Sequence, residues 1–185
     1  MAELSISRPA PEECTPGHLR LLSEIPDTEL FEALERQESL LEGLASALNS
    51  HGHESYAPGK WTVCGVVGHL SDSERIFGYR MLCAARGETA PLNLFDENAY
   101  AAMGDFDSRP LAAILKDFAA ARFANMRFLR SLPEAAWDRR LTLSGKTVSL
   151  RAVAWVTAAH ALHHAGVLRE RYLPLVRPDE AAESD

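Results

Sequence analysis

The chain has 185 residues, 46% of them hydrophobic and 24% charged, and carries 19 basic against 26 acidic side chains for a net charge of −7. This is the composition of one globular domain with a good core, not of a disordered chain. No stretch concentrates lysine and arginine enough to track a phosphate backbone, so nucleic acid is excluded as an expected partner.

The first 26 residues contain Pro9, Pro11, Pro16 and Gly17. They read as an arm that wraps the domain or lacks fixed structure. The opening MAELSISRPAPEEC has no apolar run, and no signal peptide is expected. No apolar segment reaches the roughly 18 residues needed to span a bilayer, so no membrane association is expected. The three cysteines, Cys14, Cys64 and Cys83, are odd in number and form no CxxC. That pattern fits a reducing cytoplasm better than a disulfide framework.

Residues 27–174 read as the bundle domain. In LFEALERQESLLEGLASAL, Leu30, Leu34, Leu41, Leu44 and Leu48 recur at helical spacing. HGHESYAPGK breaks this first helix with glycine and proline. A second helix starts near Thr62 and runs to Gly87; its interior glycines, Gly65 and Gly68, permit close contact. The long link GETAPLNLFDENAYAAMGDFDS has room for one short helical turn. Ser108 is the expected N-cap of a third helix, with Pro110 in its first turn, and Pro133 stops it. LTLSGKTV can form a small hairpin turning at Ser144 and Gly145. Ser149 can cap a fourth helix, LRAVAWVTAAHALHHAGVLRERYL, ended by Pro174. Residues 175–185 read as an acidic, solvated tail.

Four helices of this length predict an all-α four-helix bundle. The link between helices 2 and 3 is too long for a tight hairpin. It is long enough to cross the bundle, which makes helices 2 and 3 parallel and the order up-down-down-up.

HALHH, His160 to His164, interrupts the apolar fourth helix. His160 and His164 differ by about 40° in direction and about 6 Å in height, so they share one face. Val153, Val156, Thr157 and Val167 share it too, which aims the pair at the core. His163 falls on the flank. Buried neutral imidazoles need partners for a donor and an acceptor each, and a metal supplies one to both. His69 on helix 2 lies about 10 Å from that helix's start, and His164 about 12 Å from the end of helix 4. In antiparallel helices these positions meet at one level. Three histidines without a fourth residue describe an open site suited to zinc, nickel, copper or iron, with zinc or nickel foremost. A metal-free network of bonded histidines is the competing account. Cys64 points away from the His69 face, and Cys83 lies about 21 Å further along the helix. Asp72, one turn after His69, can orient a ligand or act as a base. Asp96 and Glu97 are weaker candidates for that proton, being expected in solvent. Arg122 can hold a substrate carboxylate or form an ion pair. His18, His51 and His53 are expected in loops or on the surface, with His163.

On KWTVCGVVGHLSDSERIF, on the link with PLNLFDENAY and on AAHALHHAGVL, the sequence resembles the DinB-like superfamily, which includes the bacillithiol transferase-like proteins. The resemblance spans roughly Glu32 to Leu173. It implies an up-down-down-up bundle with a divalent metal held by His69, His160 and His164. It also implies a homodimer and an enzyme that uses a small thiol such as bacillithiol, mycothiol or glutathione, or a metal-dependent isomerase or hydrolase. The expectation is a thiol S-transferase acting on an electrophile. The alternatives are a metal-dependent hydrolase and a non-catalytic metal-binding stress-response protein.

Overall fold

The computed structural model describes residues 5–176. The last nine residues, which hold most of the expected acidic tail, lie outside the described residues. Among the described residues six α-helices follow one another: α1 (Pro16–Leu22), α2 (Leu30–Ala47), α3 (Val63–Arg86), α4 (Glu97–Met103), α5 (Leu111–Arg130) and α6 (Leu150–Val167). The four long ones, α2, α3, α5 and α6, are the four expected from the sequence. Among the described residues no helix is long and apolar enough to cross a membrane.

Each long helix is bounded by local chemistry. Thr62 caps α3 by accepting from the Gly65 amide, and Gly87 ends it in the left-handed region that a glycine tolerates. Ser149 caps α6 by accepting from the Ala152 amide. The leucine stripe, four residues of α2 and its C-cap Leu48, is buried at all five positions, each worth roughly 1.5–3 kcal/mol relative to exposure. Helix α6 is buried nearly all round, and its alanines let neighbouring backbones approach.

Residue pairings fix the topology. Asp107, just before α5, accepts from Thr62 at the start of α3, while Arg122 meets Glu74 and Asn125 packs on Gly78 further on. Early meets early and late meets late, so α3 and α5 are parallel. Arg122 bonds Gln37 and Arg130 bonds Glu35, so α2 and α5 are antiparallel. Tyr172 reaches Trp61, His160 reaches His69, and Arg139 donates to the Ala85 carbonyl, so α3 and α6 are antiparallel. The bundle is up-down-down-up.

The crossover is anchored at both ends. β1 (Arg140–Leu143) and β2 (Lys146–Ser149) form the expected hairpin, with Ser144 and Gly145 at positive φ in its turn. Leu92 of the crossover adds to it: its amide donates to the Thr142 carbonyl and its carbonyl accepts from the Ser144 amide. At the other end Phe106 lies on Gly68, where a Cβ would collide with the ring. Close contact at that glycine therefore serves the crossover.

Two local expectations need correction. Ser108 is not the cap of α5. It ends a 3-10 turn, its hydroxyl donates to the Asp105 carbonyl, and Pro110 stands at the cap position in extended backbone. Of the two readings of the arm, the described part follows the wrapping one: Ile6, Leu22 and Ile25 join the main core cluster, and Thr15 caps α1. The fourth helix does not run on as an α-helix to Pro174. It widens into a π turn over Leu168–Tyr172 and closes in a 3-10 turn that contains Pro174. Proline has no N–H to continue the α pattern. The wide turn delivers the Tyr172 hydroxyl to the Trp61 carbonyl at 2.6 Å.

Candidate metal centre

The two capped helices bring their histidines to one level. The donor atoms of His69, His160 and His164 all lie within 4.8 Å of one another. The ring centroids are 4.9 Å apart for His69 and His160, 4.8 Å for His69 and His164, and 4.6 Å for His160 and His164. Nε2 of His69 is 3.0 Å from Nε2 of His160, and the Ser73 hydroxyl is 3.5 Å from the same His69 atom. His69 is buried, while His160 and His164 keep partial exposure. The cluster therefore sits at the edge of the core with one side toward solvent.

Electrostatics keep these rings neutral. Burial pushes His69 down to about 4. Burial, then His69 and His163, push His164 down to about 3. His160 is driven well below the ordinary histidine range, first by burial and then by its histidine neighbours and Arg122. At neutral pH each ring offers a lone pair. The Nδ1 atom of His164 is enclosed without a hydrogen-bond partner. Three neutral nitrogen donors and an orphaned ring nitrogen fit a divalent cation of the zinc or nickel kind.

A linkage consequence can be measured on chelator-treated protein. The folded-state pKa values of these histidines lie below the unfolded value near 6.5, so between about pH 6.5 and 4 the unfolded chain binds more protons. Their contribution to stability is complete above that window and declines as pH falls through it. Thermal melts should show a falling melting temperature across the window, with a shallower fall in His164→Gln. A midpoint that holds or rises there contradicts buried neutral rings.

Aromatic side chains wall the cluster. Trp61 lies 4.8 Å from His69 and stacks at 6.5 Å on His164. Phe77 presents an edge to His160 at 5.4 Å, and Phe95 of the crossover stands 6.4 Å from His69. Trp61 also borders a cavity of about 330 Å³ lined by Gly65, Asn98, Ala101 and Phe106. That volume is at the lower end of the range for small-molecule sites. Of the walls, Phe77 was within reach of helical periodicity, eight residues after His69 and about 80° round. Trp61 and Phe95 lie in aperiodic segments that give no such signal.

The other candidate residues are distributed differently. Asp72 is half-buried, 3.9 Å from Arg75, with its carboxyl raised by burial against the opposing pull of that arginine. Its carboxylate is not among the converging donor atoms. Asp96 caps α4 by accepting from the Asn98 and Ala99 amides, and Glu97 is exposed in that helix's first turn. Arg122 forms a fully buried ion pair with Glu74 at 2.9 Å and donates to Leu34 and Gln37. His53 is exposed, and His163 lies 3.0 Å from Glu24. Two histidines are more enclosed than a surface setting implies, His51 in the 3-10 turn between α2 and α3 and His18 within α1. His51 is buried, and His18 is half-buried on α1 with Nδ1 enclosed. Cys64 is absent from the triad, as expected, but its thiol converges with His53 and Asp107.

Comparison with solved structures shows the same architecture elsewhere. YfiT from Bacillus subtilis, described as a probable metal-dependent hydrolase with an unusual four-helix bundle topology, is 21% identical. It superposes with a TM-score of 0.70 over 82% of this chain and 90% of that one. A mycothiol-dependent maleylpyruvate isomerase is 20% identical, with a TM-score of 0.60 over 80% of this chain and 62% of that longer one. At these identities the likeness is one of fold. No curated protein matches the sequence. The model of the DinB superfamily matches residues 19–168, a span that takes in all four long helices and all three converging histidines, and so the chain belongs to the DinB superfamily.

Proposed function

We propose that the protein is a metal-dependent enzyme that joins a small thiol to an electrophilic substrate at the site formed by His69, His160 and His164. The observation that carries this is the convergence of three neutral imidazoles, two of them partly exposed, with no carboxylate among them. A divalent cation in that position supplies a Lewis acid with open coordination places, which favours the thiolate of a small thiol near neutral pH.

The chain's own residues supply the rest. Trp61, Phe77 and Phe95 keep bulk water from the rings and strengthen local electrostatics. Asp72 is assigned to accept the thiol proton. Its support is its place one turn after His69 on α3 and a carboxyl raised by burial. The sulfur then forms the new bond to carbon, and the leaving group departs with its electron pair. A homodimer belongs to the same proposal, with Tyr79, Leu82 and Phe123 exposed on the adjacent helices α3 and α5.

A second reading, a metal-dependent hydrolase, draws on the fold likeness to YfiT. One experiment separates them. Protein loaded with zinc or nickel is offered a panel of small thiols with a chloronitroarene reporter, and in parallel a panel of activated esters, with and without chelator. Chelator-sensitive loss of chloride with a thiol supports transfer. Chelator-sensitive hydrolysis without thiol turnover supports the hydrolase. Inertness toward both panels favours a non-catalytic metal protein.

A further inference from the structure

Arg80 is only 6% exposed, yet among the described residues no carboxylate pairs with it. Its recorded hydrogen bond is a long one, 3.3 Å from Nη2 to the Asn93 carbonyl. The guanidinium lies 5.8 Å from the Phe77 ring and 5.9 Å from the Phe95 ring. Ring faces attract a cation but accept few of its five N–H donors. None of its nitrogens is both sealed from solvent and unpartnered, so the free N–H groups of this largely covered cation remain open to a dissolved anion.

Its position links it to the histidines. Arg80 stands eleven residues after His69 on α3, about 20° from the same direction. Phe77 touches both His160 and Arg80, and Phe95 touches both His69 and Arg80. The two phenylalanines thus span from the triad to the guanidinium. His18 of α1 feels the same cation: burial first, and then the Arg80 charge, push its pKa down to about 4, and its enclosed Nδ1 lacks a partner.

We propose that Arg80, assisted by His18, binds the carboxylate of the substrate or thiol whose reacting end lies at the His69–His160–His164 cluster. This deepens the function proposed above and rests on it for the reacting end. The carboxylate end stands on the setting of Arg80: a planar fork of donors with no carboxylate partner, held between two aromatic rings, with an unpartnered His18 ring nitrogen that feels its charge. The ligand class is a small carboxylic acid carrying a thiol or an electrophilic carbon within reach of the cluster.

The test has two arms. In the first, metal-free protein is titrated calorimetrically with glutarate and with glutaramide. Glutarate should bind saturably and at least about tenfold more tightly than the diamide, with the preference lost in Arg80→Gln and weakened in His18→Gln. In the second, cobalt-loaded protein is titrated with 3-mercaptopropionate and its amide, following the thiolate-to-metal absorption band. The acid should bind at least about tenfold better, and Arg80→Gln should level the two while keeping cobalt content unchanged. Arg80→Lys keeps the charge and loses the fork, giving an intermediate preference in a variant expected to retain the fold. Equal binding of acid and amide by the wild type, or a preference that survives Arg80→Gln, overturns the proposal. Failure of cobalt to bind would sink the metal function, while the glutarate arm would still decide the carboxylate site.

Discussion

His160→Ala and His164→Ala should each abolish the proposed stoichiometric binding of a divalent cation while leaving the helical content near that of the wild type. Each change removes one of three donors whose atoms converge within 4.8 Å. Two imidazoles cannot hold the ion as three do, and a loss of affinity of about 100-fold or more follows, at least the size seen when supporting groups around a metal are removed. The fold survives because both positions are partly exposed and α6 is packed chiefly through its alanines and Trp155. Elemental analysis after dialysis, with circular dichroism on the same samples, gives the answer. Full metal content in both variants would mean that the cluster is a hydrogen-bonded histidine network and nothing more.

Glu74→Ala lowers stability by about 3–5 kcal/mol, because it leaves the Arg122 charge buried without its counter-ion. Both side chains are 1% exposed, and Nε of Arg122 lies 2.9 Å from each carboxylate oxygen. The pair ties three helices together: Glu74 on α3, Arg122 on α5, and the Leu34 carbonyl and Gln37 amide oxygen on α2. For a chain of this size that loss is roughly a 6–20 °C fall in melting temperature. A Glu74→Leu, Arg122→Met double variant removes both charges and keeps the volume, so it should recover most of the loss. A single variant as stable as the wild type, by denaturant or thermal unfolding, would show that the arginine finds other partners.

The parts of this molecule that are periodic in sequence were readable from it. The leucines of α2 and the histidines of α6 sit at spacings that assign a face without knowledge of the rest of the chain. Capping residues such as Thr62 and Ser149 fix where that phase begins. The length of the link after Gly87 was enough to choose the topology, and the topology was enough to put His69 level with His160. What stayed hidden was set by tertiary contact. Ser108 has the chemistry of a cap, but Pro110 and the turn at Asp105 claim its backbone and hydroxyl. His18 and His51 sit in proline- and glycine-rich segments that read as loop, and only the folded core encloses them. Arg80 was not singled out in the sequence, although its phase matches that of His69. Its isolation from any carboxylate was not legible, because that depends on the crossover lying over it.

The histidines that converge come from distant parts of the chain: His69 and His160 are 91 residues apart. An unfolded chain keeps such points apart, and drawing them together costs about 4 kcal/mol in lost freedom by polymer statistics. An ion gripping both ends therefore acts as a reversible cross-link, tightening the native state and gaining little hold on the denatured one. Starving the protein of metal should then do two things through one bond set, silencing the chemistry proposed above and loosening the seam between α3 and α6.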